Sequence, residues 1–257
     1  MFQSLYTNID GKLLYYEKYG KEYGKTIVAI HTAGTDGRMW REFAELLSSE
    51  YIVYVVDLPG HGKSDPFDKQ EVKGITLNDY AVIIKVFMEK LALNNVIVVG
   101  CSIGADIALI LSIIAQDRIR QALVIEGAAK TETFSKDQLE KVNPADVSKT
   151  YMYCGRKTRK ERIDQIMWIK STNSPKIYLT DLKAWNLFDV SHDLGGVKIP
   201  IILMRGEDDP FMSKEMIENT EKLLENCKTV NLDGFGHYPM TEDPNNFVDI
   251  VRSLIEQ

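Results

Sequence analysis

Three residues, far apart in the chain, have the types needed to make a hydroxyl nucleophilic. Ser102 lies in Gly100-Cys101-Ser102-Ile103-Gly104, the frame G-x-S-x-G, between the apolar run "VIVV" and the helix-like "ADIALIL". Asp209 lies in "MRGEDDPFM" and His237 in "DGFGHYPM". A serine hydroxyl is a poor nucleophile until a base accepts its proton, and the base needs an orienting acid. The chain order Ser, acid, His is that of a nucleophile carried on a strand–turn–helix elbow. Cys101 is a second nucleophile candidate, but the glycines frame its neighbour. Ser102 is therefore read as the nucleophile and Cys101 as a small residue packed under the turn. Of the consecutive acids Glu207, Asp208 and Asp209, the last precedes Pro210, which keeps its backbone out of the helical region and fixes its direction. Asp209 is read as the orienting acid, and Asp208 as a turn or surface residue.

Acyl chemistry also needs two backbone N–H groups aimed at the developing oxyanion. Ile103, directly after the nucleophile, is expected to supply one. Ala33, in the loop "HTAGTDGRMW" after "TIVAIH", is expected to supply the other. His31 is read as a hydrogen-bonded residue at a strand end. Asp106, one turn into the apolar segment after Ser102, has no role in the motif.

These residues need a scaffold that brings them to one edge. "TIVAIH" (26–31), "IVYVVD" (52–57), "VIVVG" (96–100), "ALVIEG" (122–127) and "IPIILMRG" (199–206) are short, β-branched and almost uniformly apolar, as strands buried on both faces of a parallel sheet are. Ahead of them, "FQSLYTNI" and "KLLYYEKY" flank Asp10-Gly11, which signals a two-residue hairpin. Helical periodicity appears in "TLNDYAVIIKVFMEKL", with Thr76 and Asp79 as a capped start, and in "SKEMIENTEKLLEN" and "PNNFVDIVRSLIEQ". The expected architecture is α/β, a mostly parallel sheet with an N-terminal antiparallel hairpin and helices on both faces. Residues 130–190 interrupt the alternation and lack strong strands. They are expected to be an inserted helical cap, with "DQLEKV" and "RKERIDQIMWIKS" as its clearest helices, leaving 1–129 and 191–257 as the core.

The composition is that of a globular protein, with 44% apolar and 26% charged residues. A net charge of −6 argues against nucleic acid or an anionic membrane as partner. No apolar run approaches the roughly 18 residues of a membrane span, and the first residues lack the basic start and apolar stretch of a signal peptide. Cys101, Cys154 and Cys227 have no C-x-x-C spacing, and the four histidines have no H-x-x-x-H pair. A cytoplasmic protein with neither disulfides nor a built-in metal is expected.

Together, "HTAGTDGRMW", "VVDLPGHGKSD", "GCSIGA", "MRGEDDP" and "GFGHYPMTEDP" resemble the α/β-hydrolase family with a helical cap, most of all the 3-oxoadipate enol-lactonases and related small-ester hydrolases. The family's usual His-Gly after the third strand is His31-Thr32 here, and its Gly-Gly after the nucleophile is Gly104-Ala105. The resemblance implies attack by Ser102, base catalysis by His237 oriented by Asp209, an acyl-enzyme, and no cofactor. It implies a small-molecule ester or lactone as the partner, with homodimerisation left open. Carbon–carbon bond hydrolysis of a ring-cleavage product, acyl transfer, and a slow-turnover receptor or regulator are the alternatives. In the cap, Tyr151, Tyr153, Met167 and Trp168 are expected to line the pocket. Arg156, Lys157, Arg159, Lys160 and Arg162 form either a solvated surface or a field that steers an anionic substrate.

Overall fold

Asp10 and Gly11 reverse the chain between β1 (Phe2–Ile9) and β2 (Lys12–Tyr19), both with positive φ (50° and 88°), as a two-residue hairpin turn requires. This is a computed structural model, and it describes residues 2–21, 23–68, 74–131 and 135–255. The five expected apolar strands form as β3 (Lys25–Ile30), β4 (Tyr51–Val56), β5 (Val96–Cys101), β6 (Ile119–Ile125) and β7 (Ile201–Gly206), and β8 (Cys227–Leu232) follows them. They join the hairpin in one eight-stranded sheet of order β1-β2-β4-β3-β5-β6-β7-β8, antiparallel at β1–β2 and β2–β4 and parallel elsewhere.

Nine helices accompany the sheet among the described residues: α1 (Arg41–Leu47), α2 (Leu77–Lys90), α3 (Ile103–Ile114), α4 (Lys136–Glu140), α5 (Lys160–Ser171), α6 (Pro175–Asn186), α7 (Lys214–Glu221), α8 (Pro239–Glu242) and α9 (Pro244–Ile255). Asp79 fixes the start of α2 by accepting from the Thr76 amide at 2.7 Å. Two apolar cores lie on the faces of the sheet. One gathers α2 and α3 against Val28, Val98 and Val124, and the other gathers α1 and α9 against Ile27, Val99 and Leu123. Helix α3 is buried on every side from Ile103 to Ser112, which explains why its sequence is apolar all round.

Between β6 and β7 the chain leaves the sheet for α4, α5 and α6. Of the expected insertion 130–190, residues 132–134 lie outside the described residues, as do the last two of the expected terminal helix. The sequence signalled α4 and α5; α6 was not foreseen. Among the described residues, no helix is long and apolar enough to cross a membrane.

Strand β3 pairs with β4 on one side and β5 on the other, so the chain order reverses there. In open parallel sheets the crevice beyond such carboxyl ends is where ligands bind. The loop after β3 carries Ala33 and the turn after β5 carries Ser102. The topology alone brings them together.

Candidate active site

Ser102 caps α3 with φ 57° and ψ −123°, a conformation costly for a residue with a β-carbon. The strain, about 1–3 kcal/mol, is held by packing and hydrogen bonds. The Ser102 amide donates to Ile125 O at 2.9 Å, and its carbonyl accepts from the Ala105 and Asp106 amides at 2.8 and 3.1 Å. A β-carbon on Gly100 would lie 1.9 Å from Gly104 O, and one on Gly104 would lie 2.3 Å from Ile30 O. Both glycines of the G-x-S-x-G frame are therefore imposed by the close approach of strand and helix. Cys101 is fully buried beneath the turn, its Sγ 3.2 Å from His237 O, and burial raises its thiol well above the ordinary range. It packs as the sequence suggested.

Ser102 opens into a cavity of about 150 Å³ that is also lined by His237, Ile103 and Ala33. Ile103 is the first residue of α3, so its N–H is one of the helix donors without an intrahelical partner. His237 Nδ1 lies 2.8 Å from Asp209 Oδ2, and the Phe211 amide donates to Asp209 Oδ1 at 2.7 Å. Asp208 points elsewhere, to Arg156 at 2.6 Å. The structure thus brings the expected nucleophile, base and acid to one edge of the sheet.

A second carboxyl stands behind Asp209. Glu126, directly after β6 and fully buried, accepts from the Gly206 amide with Oε1 and is joined to Asp209 by a side-chain hydrogen bond. Two carboxylates only accept, so one of the pair carries a proton. Burial, then the Asp209 charge, push the Glu126 carboxyl well above its usual range. Burial also opposes ionisation of Asp209, but the attraction and hydrogen bond of His237, the Glu126 bond and the Phe211 amide outweigh it and hold Asp209 low. Glu126 is therefore the neutral donor and Asp209 the anion.

The loop bearing His237 is anchored from below. Glu242 accepts from the amides of Gly155, Gly236 and Tyr238, each at 2.9 Å, and from Thr158 Oγ1 at 2.7 Å. The His237 amide donates to Tyr153 O at 2.7 Å. Two of Glu242's donors and this carbonyl belong to the β6–β7 insertion.

The loop after β3 is fixed by a different set. His31 Nδ1 meets Thr32 O at 2.9 Å and Nε2 accepts from the Leu58 amide at 3.0 Å, so the ring is neutral with its proton on Nδ1. Burial and the neighbouring His61 lower it to about 3. His31 is the hydrogen-bonded strand-end residue expected of it. Asp57 ties the "GTDG" and "PGHGKSD" loops, accepting from the Gly37 and Lys63 amides at 2.8 and 2.9 Å. Asp181, on α6 and 0% exposed, takes the Gly34 amide at 2.9 Å, His61 Nε2 at 2.8 Å and the Tyr80 hydroxyl at 2.9 Å. His61 Nδ1 faces Pro59 O at 3.1 Å, so both ring nitrogens face acceptors. Burial alone would lower this imidazole, but Asp181 outweighs it and the pKa is raised. Asp181 thus joins the insertion both to His61 and to Gly34, the residue beside Ala33.

Asp106, unassigned by the motif, has a place here. Fully buried, it accepts from the Ala128 amide at 3.2 Å, and burial pushes its carboxyl well above the usual range.

The expected pocket lining is corrected at three of its four positions. Tyr153 lines the cavity, but Tyr151 and Trp168 are more than half exposed, and Met167 is not among the lining residues. Helix α5 turns Ile166 and Ile169 inward, so Trp168 faces out and stacks on the Arg38 guanidinium at 4.6 Å. The insertion contributes Val142, Lys170, Tyr178, Leu182 and Trp185 instead. Three of these lie on α6, whose start was legible as Ser174-Pro175. The basic cluster does not face the cavity: Arg156 and Lys157 pair with Asp233, Lys160 with Asp164, and Arg162 with Glu42.

A family model described as alpha/beta hydrolase fold matches residues 25–151. 3-Oxoadipate enol-lactonase 1 of Acinetobacter baylyi is 24% identical, over 97% of this chain and 96% of its own length. The pimeloyl-[acyl-carrier protein] methyl ester esterase of Aliivibrio salmonicida is 23% identical, over 95% of this chain and 96% of its own. Among solved structures, the enol-lactonase from Burkholderia xenovorans LB400 superposes with a TM-score of 0.87 at 19% identity, covering 98% of this chain and 100% of that one.

Proposed function

This chain has the α/β hydrolase fold, with esterases and lactonases among its relatives, and on that premise we propose that it is a serine hydrolase of small carboxylic esters or lactones. In this reading Ser102 attacks the carbonyl carbon while His237 takes its proton. Asp209 orients the imidazole and stabilises its charge. The tetrahedral oxyanion sits against the N–H groups of Ile103 and Ala33. Collapse expels the alcohol, protonated by His237, and leaves an acyl-enzyme. Water activated by the same histidine then releases the acid and restores Ser102. The segment 130–190 acts as the cap, walling the pocket.

One observation carries the reading: a strained Ser102 shares a cavity with a histidine that is hydrogen-bonded at 2.8 Å to a buried aspartate. Turnover of p-nitrophenyl acetate and butyrate is expected, with kcat reduced on the order of 10³-fold or more in Ser102→Ala. A fluorophosphonate probe is expected to label the wild type and not that variant. Labelling that survives Ser102→Ala would overturn the assignment. Acylation without turnover across an ester and lactone panel would favour the slow receptor instead.

A further inference from the structure

A lysine that the hydrolytic reading does not use, Lys170, reaches the cavity with its nitrogen 3.2 Å from the Tyr238 hydroxyl, which accepts from it. The ring centres of Tyr153, Tyr178 and Tyr238 lie 5.5, 5.3 and 5.7 Å from that nitrogen. Among the described residues, no carboxylate oxygen comes within the ion-pairing distance that the exposed Arg156, Lys157 and Lys160 each enjoy. The three phenols and the neighbouring Cys154 thiol are all raised by burial, so they stay protonated and uncharged at neutral pH. A desolvated lysine without a counter-ion gives up its proton readily, and the free amine attacks carbonyl carbon. Burial lowers this ammonium to about 8. At pH 7 it is free amine roughly a hundred-fold more often than an exposed lysine.

We propose that Lys170 is a covalent capture site for short aliphatic aldehydes, which it binds as an imine. The site is independent of the chemistry assigned to Ser102. It needs the amine, the Tyr238 hydroxyl and room for the aldehyde. Ile103, Val142, Leu182 and Phe211 wall the cavity, and its volume of about 150 Å³ suits a short carbon chain. The amine lone pair adds to the carbonyl carbon, and the carbonyl π pair moves to oxygen. The Tyr238 hydroxyl gives its proton to that oxygen and takes one from nitrogen, leaving a neutral carbinolamine. Nitrogen then expels the oxygen as water, the second proton again passing from nitrogen through Tyr238. Aldehyde and amine become imine and water with no change of oxidation state, and the reverse path releases the aldehyde. Since the adduct occupies the chamber that Ser102 opens into, the aldehyde is a reversible inhibitor of whatever else enters it.

The test is reductive trapping with butyraldehyde and cyanoborohydride, which converts an imine to a stable secondary amine and leaves aldehyde–hydroxyl adducts alone. Peptide mapping of wild type by mass spectrometry at pH 7 is expected to show Lys170 alkylated roughly 10-fold or more faster than the exposed Lys149 and Lys228. Its rate is expected to saturate with aldehyde concentration, as a bound complex requires, while theirs rises linearly. The ratio is expected to fall between about pH 8 and 10, where the exposed amines lose protons that Lys170 has already lost. Tyr238→Phe is expected to slow trapping at Lys170 roughly 10-fold or more, with the exposed lysines unchanged. Ser102→Ala is expected to trap as fast as wild type, which separates capture from hydrolysis. Labelling of Lys170 no faster than that of Lys149 and Lys228 would overturn the site, and this reading needs no variant to fold. Equal trapping in Tyr238→Phe would overturn the proton path. Loss of trapping in Ser102→Ala would mean that the serine holds the aldehyde, and would overturn the proposal as well.

Discussion

At the scale of single residues, the pairing of Glu126 with Asp209 has the clearest consequence. A neutral donor behind the acid holds Asp209 in place while leaving its charge for His237. The pair also has a pH signature. Glu126 is raised in the folded state, so its contribution to stability is full below the ordinary glutamate range and declines as pH climbs through and above it. Asp209 is lowered, so its contribution is already complete above the ordinary aspartate range and stays level there. Glutamine at position 126 keeps a donor for Asp209 and an acceptor for the Gly206 amide without titrating. Thermal melts of wild type and Glu126→Gln should therefore diverge in favour of the variant between pH 5 and 8. The upper bound is about 1.4 kcal/mol per pH unit, or about 2–4 °C per kcal/mol for a chain of this size. Parallel curves would mean that Glu126 is ionised in the native protein.

At the scale of elements, α6 is locked to the core by the His61–Asp181 pair, and Gly34 is held in the same grip. A β-carbon on Gly34 would lie 2.6 Å from Tyr178 Cδ2, so the helix also presses on this loop directly. His61 is raised on folding, so the pair stabilises fully below the ordinary histidine range and its contribution is lost as pH rises through the raised value. Asp181→Asn should lower stability by about 3–5 kcal/mol near pH 6, the usual effect of leaving one partner of a buried pair alone. The gap in Tm from wild type should narrow toward pH 9; a gap that does not change with pH would show that the histidine is neutral. Loss of the charged acceptor for Gly34 should also depress kcat more than it raises KM, because Ala33 is its neighbour. Helix α6 is where reading from sequence failed, and the reason is physical. The strands and the elbow are patterns of adjacent residues, so Val96–Cys101 followed by Ile103–Ile114 is visible in the chain itself. In α6 the buried face carries a charge, Asp181, that breaks its apolar periodicity and makes sense only beside His61, which is 120 positions away. Lys170 was hidden likewise, since the three tyrosines around it come from separate elements. The order Ser102, Asp209, His237 was legible because motif frames mark each residue locally. Glu126 had no such frame.

At the scale of the whole molecule, the sheet edge and the insertion build one small chamber. About 150 Å³ is below the range of most ligand pockets and near that of a cavity that holds a single ring. Acyl chains beyond about six carbons are expected to lose at least 10-fold in kcat/KM relative to acetate or butyrate in a p-nitrophenyl ester series. Trp185→Ala removes a large wall residue and should shift that optimum toward longer chains; an unchanged profile would show that the acyl group lies elsewhere. The ties beneath His237 bear on how such a protein diversifies. Tyr153 holds the His237 amide, and Gly155 and Thr158 share one carboxylate, Glu242, with Gly236 and Tyr238. An insertion grafted alone from a relative would bring new walls but leave mismatched the three bonds that cross from Tyr153, Gly155 and Thr158 to His237 and Glu242. The exchangeable module is the insertion together with residues 234–242, and recombination that cuts between them should yield folded proteins with a misplaced base.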